Sequence, residues 1–195
     1  MGSKPYSIHN DRVDKVNEPI GPISLLPDIL APSLDVIFVG AAPSPTAARI
    51  GHYYAGRGNR FWTLLHQAGF TPRLLDATED HQVLQYGIGL TAVFRDRIST
   101  MNSLLPTPSR DEIADLERRI IACAPRFVCY NGKDVCRMCT GMSSPLWGEM
   151  SEPIGGSRRY VVPSSSGRAD RWGMERLQLF IELRELVHAG GSSDK

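Results

Sequence analysis

Residues Val36 to Trp62, VIFVGAAPSPTAARIGHYYAGRGNRFW, constrain the fold of this chain more than any other stretch. The apolar run Val36 to Val39 reads as a buried strand. It breaks at Gly40 into a loop of small residues that leads to a helix starting near Asn59. Ligands of open α/β sheets bind just beyond the carboxyl ends of strands, so Ala41 to Tyr54 is the expected site.

The rest of the chain repeats the alternation. Asn59 is placed to cap a helix whose Phe61, Leu64, Leu65 and Ala68 share one face, with Gly69 as its stop. Leu25 to Leu34 is an apolar entry segment broken by prolines. Asp80 to Tyr86 is a short helical stretch stopped by Gly87, and Gly87 to Phe94 is extended or loop-like. Ser109 and Glu112 form a capping-box pattern ahead of Ile113, Leu116 and Ile120 at helical spacing. Arg126 to Tyr130 is a second buried strand, turning at Asn131-Gly132 into a helix with Lys133 at its start. Ser143 to Gly156, rich in Pro, Gly and Ser, reads as a surface loop. Tyr160 to Val162 is a third short strand, followed by Pro163 to Arg168, PSSSGR, and a last helix from about Met174 to Val187.

Strands alternating with helices imply a three-layer α/β/α sandwich around a mainly parallel central sheet of about four strands. The loops after the first and last strands then face the same edge. Neither carries GxGxxG or GxxxxGK[ST], so a dinucleotide or Walker-type site has little support. Residues 1–23 read as a tail, 24–188 as one domain and 189–195 as a second tail.

Composition narrows the function classes. Across 195 residues at 42% hydrophobic content no stretch approaches a membrane span, and the first fifteen residues lack the apolar core of a signal peptide. A cytoplasmic location, on the nucleoid if the source is bacterial, is the expectation, with a monomer as the default. The net charge of +1 neither announces nor excludes a nucleic-acid partner. Arginine supplies 18 of the 22 basic residues, the side chain suited to forked phosphate contacts, and Arg49, Arg57 and Arg60 flank the first loop. Arg158, Arg159, Arg168 and Arg171 flank the second. Cys136 and Cys139 have the spacing of a metal or iron–sulfur pair, whereas Cys123 and Cys129 read as small buried hydrophobes. The five His are scattered, and no metal or other cofactor is expected.

Six pieces in order carry a family resemblance: GAAPS (Gly40 to Ser44), GHYYAGRGNRFW (Gly51 to Trp62), QAGFT (Gln67 to Thr71), GIGLT (Gly87 to Thr91), NGK (Asn131 to Lys133) and PSSSGR. Together they resemble the mismatch-specific uracil and thymine-DNA glycosylase branch of the uracil-DNA glycosylase superfamily, from about Leu25 to Val187. The resemblance implies a monofunctional, cofactor-free enzyme of base-excision repair that flips uracil from DNA and hydrolyses its N-glycosidic bond. It makes Tyr54 the aromatic platform for the flipped base and Arg168 the wedge entering the duplex. Ser164, Ser165, Ser166 and Gly167 become strand contacts, with Lys133 as a further phosphate contact. Gly40, Ala41, Ala42, Pro43 and Ala92 become pocket walls.

The chain departs from that pattern where chemistry is expected. Many members carry Asn or Asp at the position of Ala42, Gly at that of Ser44, and thymine-DNA glycosylases carry Asn at that of Ala92. Alanine neither orients water nor accepts its proton, so another arrangement is required. His52, Tyr53 and Ser44 are the candidates for positioning water, with His52 first, and Arg49 for holding the strand. Methyl groups at Ala42 and Ala92 imply a pocket less demanding of the base edge, open to hypoxanthine and xanthine as well as uracil. A lesion-binding protein without turnover, and a hydrolase of nucleosides or RNA on the same scaffold, are the alternatives.

Overall fold

The computed structural model describes residues 25–189; the expected tails at 1–23 and 190–195 lie outside the described residues. Five strands form one sheet: β1 (Val36–Gly40), β2 (Ile88–Ala92), β3 (Phe127–Asn131), β4 (Gly148–Ile154) and β5 (Ser157–Val162). Their spatial order is β2-β1-β3-β5-β4, with the first four parallel and β4 antiparallel at the edge. The helices are α1 (Pro45–Ile50), α2 (Phe61–Gln67), α3 (Arg110–Cys123), α4 (Lys133–Thr140) and α5 (Gly173–Ala189), with 3₁₀ segments at Ala77–Tyr86, Asn102–Leu104 and Gly167–Trp172.

The apolar strands are continuous because both sheet faces are covered, as parallel sheets require. Val36 and Phe38 point into a layer with Leu64 and Leu65 of α2 and Phe180 and Leu183 of α5. Ile37 and Val39 point the other way, onto Leu116 and Ile120 of α3 and Val135 of α4. The Phe38 ring fixes the first layer, edge-on to Phe61 at 5.3 Å and stacked on Phe180 at 5.7 Å. The three-layer α/β/α sandwich follows from this pleat. No helix among the described residues is long and apolar enough to cross a membrane.

Two expectations need correction. The sheet has five strands rather than about four, because β4 lies inside the stretch read as a loop, Ser143 to Gly156. As a half-exposed edge strand it tolerates Pro153 and polar residues, and a register shift between Met150 and Ile154 breaks its alternation. The long first loop is also partly helical. Ser44 accepts the Ala47 N–H, Pro45 opens the first turn, and Gly51 closes α1 at φ 78°.

Candidate active site

Gly40, Ala92 and Asn131 end three neighbouring parallel strands, and Ser164 to Ser166 follow the fourth. A cavity of about 140 Å³ opens at this carboxyl edge. Its walls come from Gly40 to Ser44, Tyr53, Tyr54, Asn59, Ala92, Asn131 and Ser164 to Ser166, with Leu26, Val135, Ser99, Thr100 and Asn102 completing them. Among the described residues no carboxylate, histidine, lysine or arginine lines it, so its polar groups are amides and hydroxyls.

The walls are tied together by backbone. Val93 and Phe94 donate to the carbonyls of Gly40 and Ala41, and Ser99 donates to Pro43. Arg60 N–H donates to the Ser165 carbonyl at 2.8 Å, clasping the first loop to the last. A Cβ at Gly167 would stand 2.9 Å from the Gly58 carbonyl oxygen, so only glycine allows these loops to approach so closely. Asn131 grips Ser165 twice: its Oδ1 accepts the Ser165 N–H and its Nδ2 donates to the Ser165 Oγ, both at 2.8 Å. Buried Arg176 donates to the Ser164 and Ser166 carbonyls from below.

Tyr54 stands at the centre. Its backbone is left-handed, φ 56°, a conformation that costs a non-glycine residue energy and is held only by its surroundings. The ring stacks on Phe61 with centroids 3.8 Å apart. The Tyr53 and Tyr54 hydroxyls are both buried, with no hydrogen-bond partner among the described residues. Burial pushes both phenols far above the ordinary tyrosine value. The Asn131 side chain opposes the shift at Tyr54 without reaching hydrogen-bond geometry, and Asp28 adds to it at Tyr53. Both therefore stay protonated at any working pH, and neither serves as a base.

Asp80, 1% exposed, anchors the backbone leading into this strained residue. Its carboxylate accepts the Tyr53 N–H at 2.9 Å and lies 3.1 Å from His52 Nδ1 and 2.8 Å from His81 Nδ1. Asp80→Ala leaves a buried N–H without its acceptor. The expected cost is about 2 kcal/mol, read as a lower denaturant midpoint at unchanged slope. An unchanged midpoint would show that the Tyr53–Tyr54 turn holds itself.

A profile of the uracil DNA glycosylase superfamily matches residues 27–187. The chain belongs to that superfamily. The solution NMR structure of a candidate uracil DNA glycosylase from Methanosarcina acetivorans is similar in fold. It has a TM-score of 0.56 at 23% identity and covers 82% of this chain and 96% of that one.

Within this uracil DNA glycosylase fold the structure gathers some of the sequence-expected residues and leaves others apart. Gly40, Ala41, Ala42, Pro43, Ser44, Tyr53, Tyr54, Ala92, Ser164, Ser165 and Ser166 all meet at the cavity. Ser44 spends one lone pair on the α1 cap. His52 does not line the cavity, because Asp80 holds its ring. Arg49 is exposed on the last turn of α1, also away from the cavity. Gly167 lies against Gly58, and Arg168 reaches from the same loop to donate to the Thr100 carbonyl at 2.9 Å. Lys133 sits with its Nζ 4.3 Å over the Trp147 ring, in a neighbouring groove.

Two residues gain a place that sequence reading did not give them. Asn59 and Asn131, taken as a helix cap and a turn, both line the cavity. The Asn59 Oδ1 does accept the Phe61 N–H at 3.0 Å, which leaves its Nδ2 as the available donor. As for the cysteines, Cys129 is buried in β3, and Cys136 packs in α4 with its Sγ 3.8 Å from the Met150 sulfur. Burial raises the Cys129, Cys136 and Cys139 thiols above the usual range, and among the described residues no group of three or more metal-ligating side chains assembles.

Proposed function

We propose that this chain is a DNA glycosylase of the mismatch-specific type that draws uracil, and with it hypoxanthine or xanthine, out of DNA and hydrolyses the N-glycosidic bond. What carries the reading is the convergence of the Gly40 to Ser44 loop and the Pro163 to Arg168 loop on one cavity, in a chain of this superfamily. Tyr54 is the platform for the extruded base, and Ser164, Ser165, Ser166, Gly167, Arg168 and Lys133 hold the strand.

The uncharged cavity supports a mechanism without a side-chain base. Among the described residues no carboxylate or histidine stands on its walls to take the proton of water. The C1′–N bond therefore breaks ahead of water attack, and the positive charge growing on the sugar is offset by the phosphates of the bound strand. Negative charge on the departing base is met by N–H donors: the backbone amides near Ala42 to Ser44 and the Asn59 Nδ2. Asn59 thus supplies the side-chain amide that Ala42 lacks, from the far end of the stretch that joins β1 to α2. Ser44, whose hydroxyl retains one lone pair and its proton, orients the water, and the proton released as water adds to C1′ goes to the departed base anion.

The test is excision from labelled DNA with a single uracil, in EDTA, read as alkali-labile strand breaks. Wild type is expected to cut. Asn59→Ala is expected to lose about 10²-fold or more in single-turnover rate, while His52→Ala stays within a few-fold. Equal losses would return the chemistry to the His52 side of the loop. Turnover confined to uracil would overturn the broad range. The methyls of Ala42 and Ala92 favour one second reading, a lesion-binding protein, which requires tight binding of damaged DNA with intact product under enzyme excess.

A further inference from the structure

We propose that a groove beside the cavity, between the start of α4 and the Gly167–Trp172 segment, is a second nucleotide site, taking the base and phosphate of the residue next to the extruded one on the same strand. The inference rests on the glycosylase reading and extends it outward from the flipped base.

The first observation is continuity. Asn102 and Ser164 line the central cavity and also this groove of about 240 Å³, so the groove adjoins the cavity across two shared wall residues. An adjoining depression of about 270 Å³ shares Ser164 and Ser166 with the cavity, and Trp172 lines both outer compartments. The occupant is therefore the neighbour on the extruded strand rather than a residue of the complementary one.

The second observation is composition. Trp147 and Trp172 meet edge to face at 5.5 Å and 76°, which fixes the orientation of both indoles. Lys133 lies 4.3 Å over Trp147, and the Arg171 guanidinium 5.3 Å from the Trp172 ring centre. Among the described residues neither cation has a carboxylate partner. Arginines elsewhere do: Arg73 with Glu79, Arg97 with Glu112, Arg158 with Glu149. The acid that lines the groove among the described residues, Asp134, is already bonded by Arg137 at 2.7 Å. Two indoles with two uncommitted cations match a base with its phosphate, since stacking is indifferent to base identity and the cations meet the backbone.

Coupling between protein and DNA changes tests this directly. Single-turnover excision would be followed on single-stranded DNA carrying one uracil, unmodified or with a base-free spacer on the 5′ or the 3′ side of it. For wild type, the spacer on one side is expected to raise the half-saturating enzyme concentration about ten-fold. Trp172→Leu is expected to weaken the unmodified DNA by a similar factor and to respond no further to the spacer. Arg171→Gln, a change at an exposed side chain, is expected to lower the slope of log affinity against log salt by about one. Trp172→Leu would be accompanied by a melting curve. If that variant melts early, the Arg171→Gln slope decides. Spacers without effect on wild type, losses that simply multiply, or an unchanged salt slope would overturn the site while leaving the glycosylase standing. Absence of binding and excision on every substrate would overturn the glycosylase reading itself, and this site with it.

Discussion

Arg119→Ala is expected to destabilise the protein by about 3 kcal/mol, the largest stability loss predicted for a single side chain here. Arg119 lies on α3, 12% exposed, and its guanidinium donates to Asp28 Oδ2 and Asp115 Oδ2, each at 2.9 Å, and to Thr91 Oγ1 at 2.6 Å. Asp28, 13% exposed and ahead of β1, also accepts from Thr91 at 2.7 Å and from Arg95 at 3.3 Å. One side chain thus ties α3, the entry segment and the end of β2 together behind Ala92. Its removal leaves Asp28 in a poorly hydrated place with one long ion pair, and that uncompensated charge is the main cost. At roughly 2–4 °C per kcal/mol for a chain of this size, the melting temperature should fall by about 10 °C. Asp28→Asn, which keeps an acceptor and removes the charge, is expected to cost less. A fall of under 2 °C for Arg119→Ala would mean that water already screens the cluster.

The sequence pattern exposed those parts of the fold whose environment is uniform along the chain. β1 and β3 are buried on both faces, so VIFV and RFVCY read as strands without knowledge of their neighbours, each within one residue of the observed ends. IGLTA of β2 is ambiguous because glycine and threonine weaken the signal, although Gly89 fits there with Leu30 and Leu34 packed against it. GEMSEPI of β4 carried no signal, since an edge strand is permitted polar residues and proline. The Ser109 and Glu112 capping box was legible because every partner lies within one turn.

The site divides along the same line. Gly40 to Ser44 and Pro163 to Arg168 were marked by motif, and both loops lie at the sheet edge expected of them. The placement of His52 depended on Asp80, 28 positions away, whose carboxylate turns the imidazole from the cavity. Asn59 and Asn131 were each explained by a local role, a cap and a turn, and nothing local distinguishes those roles from a place on the cavity wall. Asn131 comes beside Gly40 only because β3 pairs with β1 across a gap of more than eighty residues.

Asn131→Ala is expected to produce the largest loss of function outside the base-contacting residues, about 10²-fold in excision rate. Both ends of its amide are committed to Ser165, which is 1% exposed, so alanine strands a buried N–H and a buried hydroxyl together. The Ser164 to Ser166 wall then loses its link to β3, and Arg168, the proposed wedge, is carried on the same loop. Asn131→Asp discriminates between two origins of the loss. An aspartate oxygen still accepts the Ser165 N–H, and the Ser165 hydroxyl can turn to donate to the other, so the loop is held although a charge is buried. If loop position is the whole contribution, the aspartate variant recovers most of the rate that alanine loses. If instead its melting temperature recovers and its rate does not, the neutral amide itself is required. The neighbouring Tyr54 hydroxyl, buried and without a partner among the described residues, would then be the group through which Asn131 tunes the proposed base platform.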